Sequence, residues 1–148
     1  MDPLRVMIVE DEALLAMELE SLIEDSGNIV AGWATGFDEA KALVDQDSAD
    51  IAFVDLNLAD GPTGVLVAEY IRDSGHSLAV FMTANPKQLP DNYAGAIGCI
   101  AKPYTMNGLL AALRYLKEGV RTPPPASRLP VGFVLSPGYA AHWTPPTR

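Results

Sequence analysis

The stretch DIAFVDLN, residues 50–57, contains the strand and the acid around which the rest of the chain is organised. Its four apolar residues, 51–54, are bounded by polar positions, and a short run of this kind favours a buried β-strand. The run ends at Asp55, and Asn57 follows two residues later. An acid directly after a buried strand is a candidate functional residue, because open α/β sheets bind ligands at the carboxyl ends of their strands.

Three other short apolar segments also end in polar side chains. The residues at these ends are Glu10 with Asp11, then Thr83, then Lys102. If all four segments are parallel strands, their carboxyl ends meet at one edge of the sheet. The sequence therefore predicts a single pocket that contains three acids, a hydroxyl and an amine.

Short apolar runs alternate with stretches of helical period, which predicts an α/β fold with a parallel sheet between two layers of helices. The predicted strands span residues 5–9, 29–33, 51–54, 78–82 and 99–101. The predicted helices span residues 12–25, 37–46, 65–73, 86–96 and 105–118. Thr105 is the predicted N-cap of the last helix and Gly119 its predicted C-terminal stop. Residues 1–119 are therefore expected to form one domain, a three-layer sandwich of five βα units.

Residues 120–148 are expected to form a separate, proline-rich tail. Seven of these 29 residues are proline, which prevents most of the segment from forming helix. The exception is the β-prone stretch VGFVL at residues 131–135. Two possibilities stay open: a partly disordered tail, or a segment that packs on the first domain, on a partner's sheet edge or on a second copy in a homodimer.

Charge and targeting signals limit the classes of function. Residues 1–119 carry 19 acidic and 7 basic side chains, which argues against nucleic-acid binding because neutralising phosphates requires a basic face. Cys99 is the only cysteine, so an intramolecular disulfide is impossible. No signal-peptide pattern is present, and no apolar run approaches the ~18 residues of a membrane helix. We therefore expect a cytoplasmic protein without membrane contact.

The three pocket acids predict a divalent metal site. Side by side, these carboxylates would repel one another unless a cation lay between them. Mg²⁺, or Mn²⁺ in its place, prefers such oxygen ligands. We expect Asp11 and Asp55 to bind the ion directly, the main-chain carbonyl of Asn57 to be a third ligand, and Glu10 to act through water.

The remaining pocket residues predict phosphoryl chemistry. With a metal beside it, the Asp55 carboxylate can attack a phosphorus atom in line with the leaving group. Lys102 would place a positive charge on one side of the phosphoryl oxygens, and Thr83 a hydroxyl on the other.

Four motifs at this spacing resemble the receiver domain of two-component response regulators, the CheY-like family. The motifs are Glu10-Asp11, Asp55-Leu56-Asn57, Thr83-Ala84 and Lys102-Pro103, and the resemblance covers about residues 4–119. It implies a flavodoxin-like (βα)5 sandwich with strand order 2-1-3-4-5. It also implies that a sensor histidine kinase or a histidine phosphotransfer protein phosphorylates Asp55. Such a domain is a phosphoacceptor and not an enzyme, apart from slow self-phosphorylation and autodephosphorylation, and it acts on a downstream protein that the sequence does not identify.

Cys99 departs from the pattern of that family. It stands three residues before Lys102, where receivers usually have a Tyr or Phe that turns inward when the threonine equivalent to Thr83 moves toward the phosphoryl group. We therefore expect phosphorylation to be read out differently here. The stretch FMTAN at residues 81–85, with Lys102-Pro103-Tyr104, more loosely resembles alphaproteobacterial receivers that are paired with HWE-class kinases.

Three alternative functions can be compared with this prediction. A phosphatase of the haloacid dehalogenase type needs an acid two residues after its nucleophile, where this chain has Asn57. A flavodoxin-like cofactor binder needs a Gly/Ser/Thr-rich loop after the first strand, where this chain has Glu10-Asp11-Glu12. A pseudo-receiver that binds partners without being phosphorylated is the third alternative, and a phosphorylation assay distinguishes it.

Overall fold

The computed structural model describes residues 2–46 and 49–144 as a sheet with helices on both faces. The strands are β1 (Arg5–Val9), β2 (Ile29–Ala34), β3 (Ile51–Asp55), β4 (Leu78–Thr83), β5 (Gly98–Ala101) and β6 (Phe133–Leu135). The first five are parallel in the order β2-β1-β3-β4-β5, and β6 pairs antiparallel with β5. The predicted parallel sheet of order 2-1-3-4-5 is confirmed, with one additional strand.

Two layers of helices cover this sheet. In the described residues the α-helices are α1 (Ala13–Asp25), α2 (Phe37–Asp45), α3 (Gly64–Ser74), α4 (Met106–Arg121) and α5 (Pro137–Trp143). Helices α1 and α4 pack on one face through leucines and isoleucines, and α2 and α3 pack on the other. Among residues 2–46 and 49–144, no helix combines the length and the apolar character that crossing a membrane requires.

Strand β3 lies at the centre of the fold and contributes to both cores. Ile51 and Phe53 point into the core beneath α1 and α4, while Ala52 and Val54 point into the core beneath α2 and α3. All four side chains are buried. Burial on both faces explains why the run is apolar at every position and does not alternate with polar residues.

The helix predicted over residues 86–96 is wrong. The structure has only two short 3₁₀ turns there, Pro86–Gln88 and Tyr93–Gly95. Pro90 lies between them and has no N–H to donate to a helical carbonyl. The Asn92 side chain instead accepts a hydrogen bond from the N–H of Ala94 at 2.9 Å. A local side-chain bond of this kind competes with helix formation, and it explains the turn.

The last helix begins as predicted and ends later than predicted. Thr105 caps α4 by accepting a hydrogen bond from the N–H of Gly108 at 2.9 Å, which confirms its assignment as N-cap. Gly119 is not a helix stop, because α4 continues through it to Arg121. The prolines from Pro123 onward end the helix, since each removes a main-chain donor.

Within the described part of the tail, β6 and α5 pack on the rest of the chain, and residues 145–148 lie outside the described residues. Strand β6 extends the sheet, and Ser136 then caps α5 by accepting a hydrogen bond from the N–H of Tyr139. The Trp143 indole lies over Gly119 of α4, where a Cβ atom would approach it to 2.5 Å. Gly119 is therefore the floor of a notch for Trp143.

A Gly119→Ala substitution tests this notch. Alanine stabilises an exposed helix by about 1 kcal/mol relative to glycine, but here its Cβ would displace the Trp143 ring. We expect the free energy of unfolding, measured with urea, to fall by roughly 1–3 kcal/mol.

Gly138→Ala in α5 is the matched control, because a Cβ there meets no atom within 4 Å. An increase in stability in the Gly119 variant, or an equal loss in both variants, would contradict the proposed role of Gly119.

Candidate functional site

The carboxyl ends of β1, β3, β4 and β5 bring together residues that are far apart in sequence. Glu10 follows β1, Asp55 ends β3, Thr83 ends β4 and Lys102 follows β5. The pairing of β1 with β3 and of β3 with β4 is in register along each strand, so the ends lie level. Glu10 and Thr83 are buried.

Lys102 forms the central ion pairs of the site. Its Nζ lies 2.9 Å from Oδ2 of Asp55 and 3.2 Å from Oε1 of Glu10. The side chains of Lys102 and Asp55 are mostly shielded from water, and Glu10 is almost completely shielded. Charge–charge attraction is stronger in such surroundings than on an open surface. One ammonium group therefore contacts two of the three pocket acids, but it offsets only one of their negative charges.

The three acids are arranged so that they could hold one metal ion. Glu10, Asp11 and Asp55 each offer a carboxylate oxygen, and these oxygens lie within 4.8 Å of one another. Oxygens on opposite sides of a Mg²⁺ ion are ~4.2 Å apart, so only small side-chain adjustments are required. An all-oxygen donor set is also the type that Mg²⁺ and Mn²⁺ prefer. The residues present therefore fit the predicted ion.

Main-chain packing fixes the position of Asp55. The N–H of Asn57 donates to Oδ1 of Asp55 at 3.2 Å, which leaves Oδ2 to Lys102. Gly64 begins α3 directly against this segment, and its N–H donates to the Leu56 carbonyl at 3.0 Å. A Cβ atom at Gly64 would overlap the Asp55 carbonyl oxygen. Only glycine permits this close approach.

Thr83 lies beside the ion pairs without taking part in them. Its Oγ1 accepts a hydrogen bond from the N–H of Asn85 at 3.0 Å. A hydroxyl can accept and donate at the same time, so its hydrogen can serve a further acceptor. The main-chain carbonyl of Thr83 accepts a hydrogen bond from the N–H of Lys102 at 2.9 Å, which ties the ends of β4 and β5 together.

The crowded charges shift two pKa values. Burial, followed by a hydrogen bond to Asp55 and repulsion by it, raises the pKa of Glu10 from 4.5 to about 7, although Lys102 acts in the opposite direction. Burial alone would lower the pKa of Lys102, but Asp55 and Glu10 outweigh it and raise that pKa. Lys102 is therefore kept charged, while Glu10 can hold a proton in the metal-free protein.

Two neighbours of the site do not appear among the predicted residues. Trp33 of β2 donates from Nε1 to the main-chain carbonyl of Glu10 at 2.6 Å. Tyr104 lines a small cavity of about 10 Å³ together with Glu10, Asp55 and Lys102. Trp33 could have been found from the sequence, because it ends the predicted second strand just as the other site residues end theirs.

Cys99 is fully shielded within β5 and packs in the core that α2 and α3 cover. Burial raises the pKa of its thiol from 9.0 to about 11. A thiol with a raised pKa is mostly uncharged and unreactive near neutral pH. At this position Cys99 therefore acts as a small core residue, with no aromatic ring that could rotate.

Comparison with known proteins identifies the family. The sequence model of the family described as the response regulator receiver domain matches residues 6–114 of this chain. The chain belongs to this family.

Similar proteins include several called PhyR. The phyllosphere-induced regulator PhyR of Methylorubrum extorquens is 32% identical over 101 residues, which cover 67% of this chain and 38% of that protein. The PhyR REC domain of Erythrobacter litoralis is 25% identical, with a TM-score of 0.68 and coverage of 87% and 97%. The anti-anti-sigma factor PhyR of Bartonella quintana is 28% identical, with a TM-score of 0.65 and coverage of 79% and 49%. The chain thus spans less than half the length of the Methylorubrum and Bartonella proteins.

The raised pKa of Glu10 predicts how the stability of the metal-free protein depends on pH. Between about pH 4.5 and 7 the folded state holds a proton on Glu10 that the unfolded state has lost, so stability falls as pH rises through this window. Carboxyls with lowered pKa values, such as Glu39 and Asp60, change stability below this window. We expect Tm in the presence of EDTA to fall by several degrees between these pH values.

Glu10→Gln removes the titrating group and keeps its shape, so its Tm should change less over the same window. Parallel curves for the wild type and the variant would contradict the assignment of the pH dependence to Glu10.

Proposed function

We propose that this receiver accepts a phosphoryl group on Asp55 from a phosphohistidine of a sensor histidine kinase or histidine phosphotransfer protein, and signals through protein–protein contacts. The observation that carries the proposal is the carboxylate cluster around Asp55, with the Lys102 ammonium 2.9 Å from Oδ2. A carboxylate that is held in place and paired with a cation is suited to act as a nucleophile toward phosphorus.

The transfer replaces one phosphorus bond with another. An oxygen of the Asp55 carboxylate bonds to phosphorus as the P–N bond to the donor histidine breaks, and the bonding electron pair stays on the imidazole nitrogen. The product on this chain is an acyl phosphate. Before transfer the Lys102 ammonium contacts the Asp55 carboxylate, and after transfer it contacts the negatively charged phosphoryl oxygens. The Thr83 hydroxyl donates a hydrogen bond to one of these oxygens.

Glu10, Asp11, Asp55 and the main-chain carbonyl of Asn57 are the residues that would hold a divalent ion. Bound Mg²⁺ supplies the positive charge that lets an anionic phosphoryl group approach these acids. Asn57 and Gly64 hold the Asp55 segment in place, so the Asp55 carboxylate is already positioned to bind the ion.

An exposed apolar patch beside the pocket supports a protein as the phosphodonor. Leu14 and Met17 of α1 are 71% and 59% exposed, and Met106 of α4 is 63% exposed. With Tyr104 they line a depression of about 520 Å³, and Tyr104 also borders the Asp55 pocket. Exposed apolar patches of this kind often mark protein contacts. We propose that the surface of the donor around its phosphohistidine packs here.

Protein contacts as the output are also supported by the relatives. The Bartonella PhyR, which is described as an anti-anti-sigma factor, acts on another protein. An acidic body like that of the present chain does not favour nucleic acid as a target. We propose a protein as the downstream target.

Phosphorylation by a small donor tests the central step. Incubation with acetyl phosphate and Mg²⁺ should add ~80 Da to the intact mass of the chain. Asp55→Asn should remove the adduct, whereas Asp25→Asn, at the exposed end of α1, should keep it. Absence of an adduct on the wild-type chain would instead favour a receiver that only binds partners.

Mg²⁺ binding is tested by thermal stability. At pH 8, Mg²⁺ at 100 times its Kd should stabilise the protein by ~2.7 kcal/mol, because the ion binds the folded state alone. Asp11→Asn should lose most of this effect and Asp25→Asn should retain it. Equal stabilisation of all three proteins would mean that the ion binds outside the proposed site.

A further inference from the structure

Residues 132–143, here named the cap, are seated on a surface that two glycines shape. Gly98 of β5 faces the cap, and a Cβ there would overlap the Val134 carbonyl oxygen. Gly119 of α4 forms the notch for Trp143. Any larger residue at either position would push the cap away. The receiver thus carries a docking surface shaped for this segment.

The contacts of the cap are partly aromatic and partly polar. Phe133 and Trp143 are each only 4% exposed, and both rings lie 5.7 Å from the Tyr115 ring of α4, measured between centroids. At the ends of β6, the N–H of Ala101 donates to the Gly132 carbonyl at 2.9 Å, and the N–H of Ser136 donates to the Ile97 carbonyl at 2.9 Å. Because β6 has only three residues, the loss of one of these terminal bonds weakens a large part of the pairing.

One of these bonds lies next to the phosphorylation pocket. Ala101 is paired with Thr83 across the sheet and bonded to Gly132 on its other side. The next residue is Lys102, whose ammonium group contacts Asp55 and Glu10. Only the peptide unit that joins Ala101 to Lys102 therefore separates the bond to the cap from the ion pairs of the pocket.

We propose that docking of the cap is coupled to the phosphoryl group on Asp55, so that phosphorylation loosens β6 from β5. This inference rests on the proposed function. The Ala101–Gly132 bond is fully formed at 2.9 Å while Lys102 is held by the carboxylates. When the charge moves outward onto phosphoryl oxygens, Lys102 and Thr83 are both drawn toward it. They flank Ala101, so the end of β5 is displaced away from β6.

The coupling has to be reciprocal. If the phosphoryl group weakens the cap, then weakening the cap strengthens binding of a phosphoryl mimic by the same factor. The coupling supplies a readout that does not need an aromatic ring at the position of Cys99. Loosening exposes Phe133, Trp143 and the edge of β5, which is a change of surface that another protein can detect.

Beryllium trifluoride with Mg²⁺, a phosphoryl mimic that binds reversibly, is the probe. Its Kd is measured by calorimetry on the wild-type protein, on Gly98→Ala and on Gly138→Ala. Gly98 faces Leu135 at the end of β5 remote from Lys102, so its substitution moves the cap without touching the pocket. Gly138→Ala is the matched change within the cap, where a Cβ has open space.

We expect Gly98→Ala to bind the probe about fivefold more tightly or better, and Gly138→Ala to bind it like the wild type. In the wild-type protein, the probe should speed hydrogen exchange of the amides of Ala101 and Ser136, whose bonds join β6 to β5, by a similar factor, a measurement that depends on no variant. An equal Kd in all three proteins with unchanged exchange overturns the coupling and leaves the proposed function standing. Weaker binding by Gly98→Ala, or slower exchange, overturns it as well, because the sign is opposite. A wild-type protein that binds no probe and forms no adduct with acetyl phosphate removes the proposed function and the coupling together.

Discussion

The contact between the Lys102 ammonium and the carboxylates of Asp55 and Glu10 is the interaction on which the site depends. Strand ends that lie level in the sheet force three acids into one small pocket. Like charges at this distance are unfavourable, and one ammonium group offsets only one of the three negative charges. The remaining negative charge is what makes the pocket a receptor for a divalent ion, and with it a phosphoryl group.

The same geometry makes β5 the link between the pocket and the outer edge of the sheet. Lys102 follows this strand directly, Thr83 of β4 is paired with its last residue, and β6 lies along its other side. At the position of β5 where receivers usually have an aromatic residue that turns inward, this chain has the buried Cys99. A short strand on an edge is the part of a sheet that is most easily detached, because few bonds hold it.

Local patterns were sufficient to predict the parallel strands and to place the pocket residues at their ends, whereas the strand order 2-1-3-4-5 came from the resemblance to receiver domains. Apolar runs such as residues 51–54 define the strands, and topology brings their ends together. One error arose from a contact between distant segments, and another from local groups that compete with helix formation. Glycine is a common helix stop, yet Gly119 lies within α4, and its lack of a side chain makes room for the Trp143 ring of the tail. The helix predicted over residues 86–96 failed because one proline and one Asn side-chain bond outweigh the helical pattern. No local sequence pattern indicates that β6 pairs with β5 and not with another chain.

Locating the modified residue shows directly whether Asp55 is the phosphoacceptor. Borohydride reduces an acyl phosphate on aspartate to the alcohol of homoserine, and peptide mass spectrometry then identifies the position. After treatment with acetyl phosphate and Mg²⁺, we expect homoserine at position 55 and at no other acid. Homoserine at Asp11, the reduced glutamate 5-hydroxynorvaline at Glu10, or no reduced residue at all would contradict this assignment.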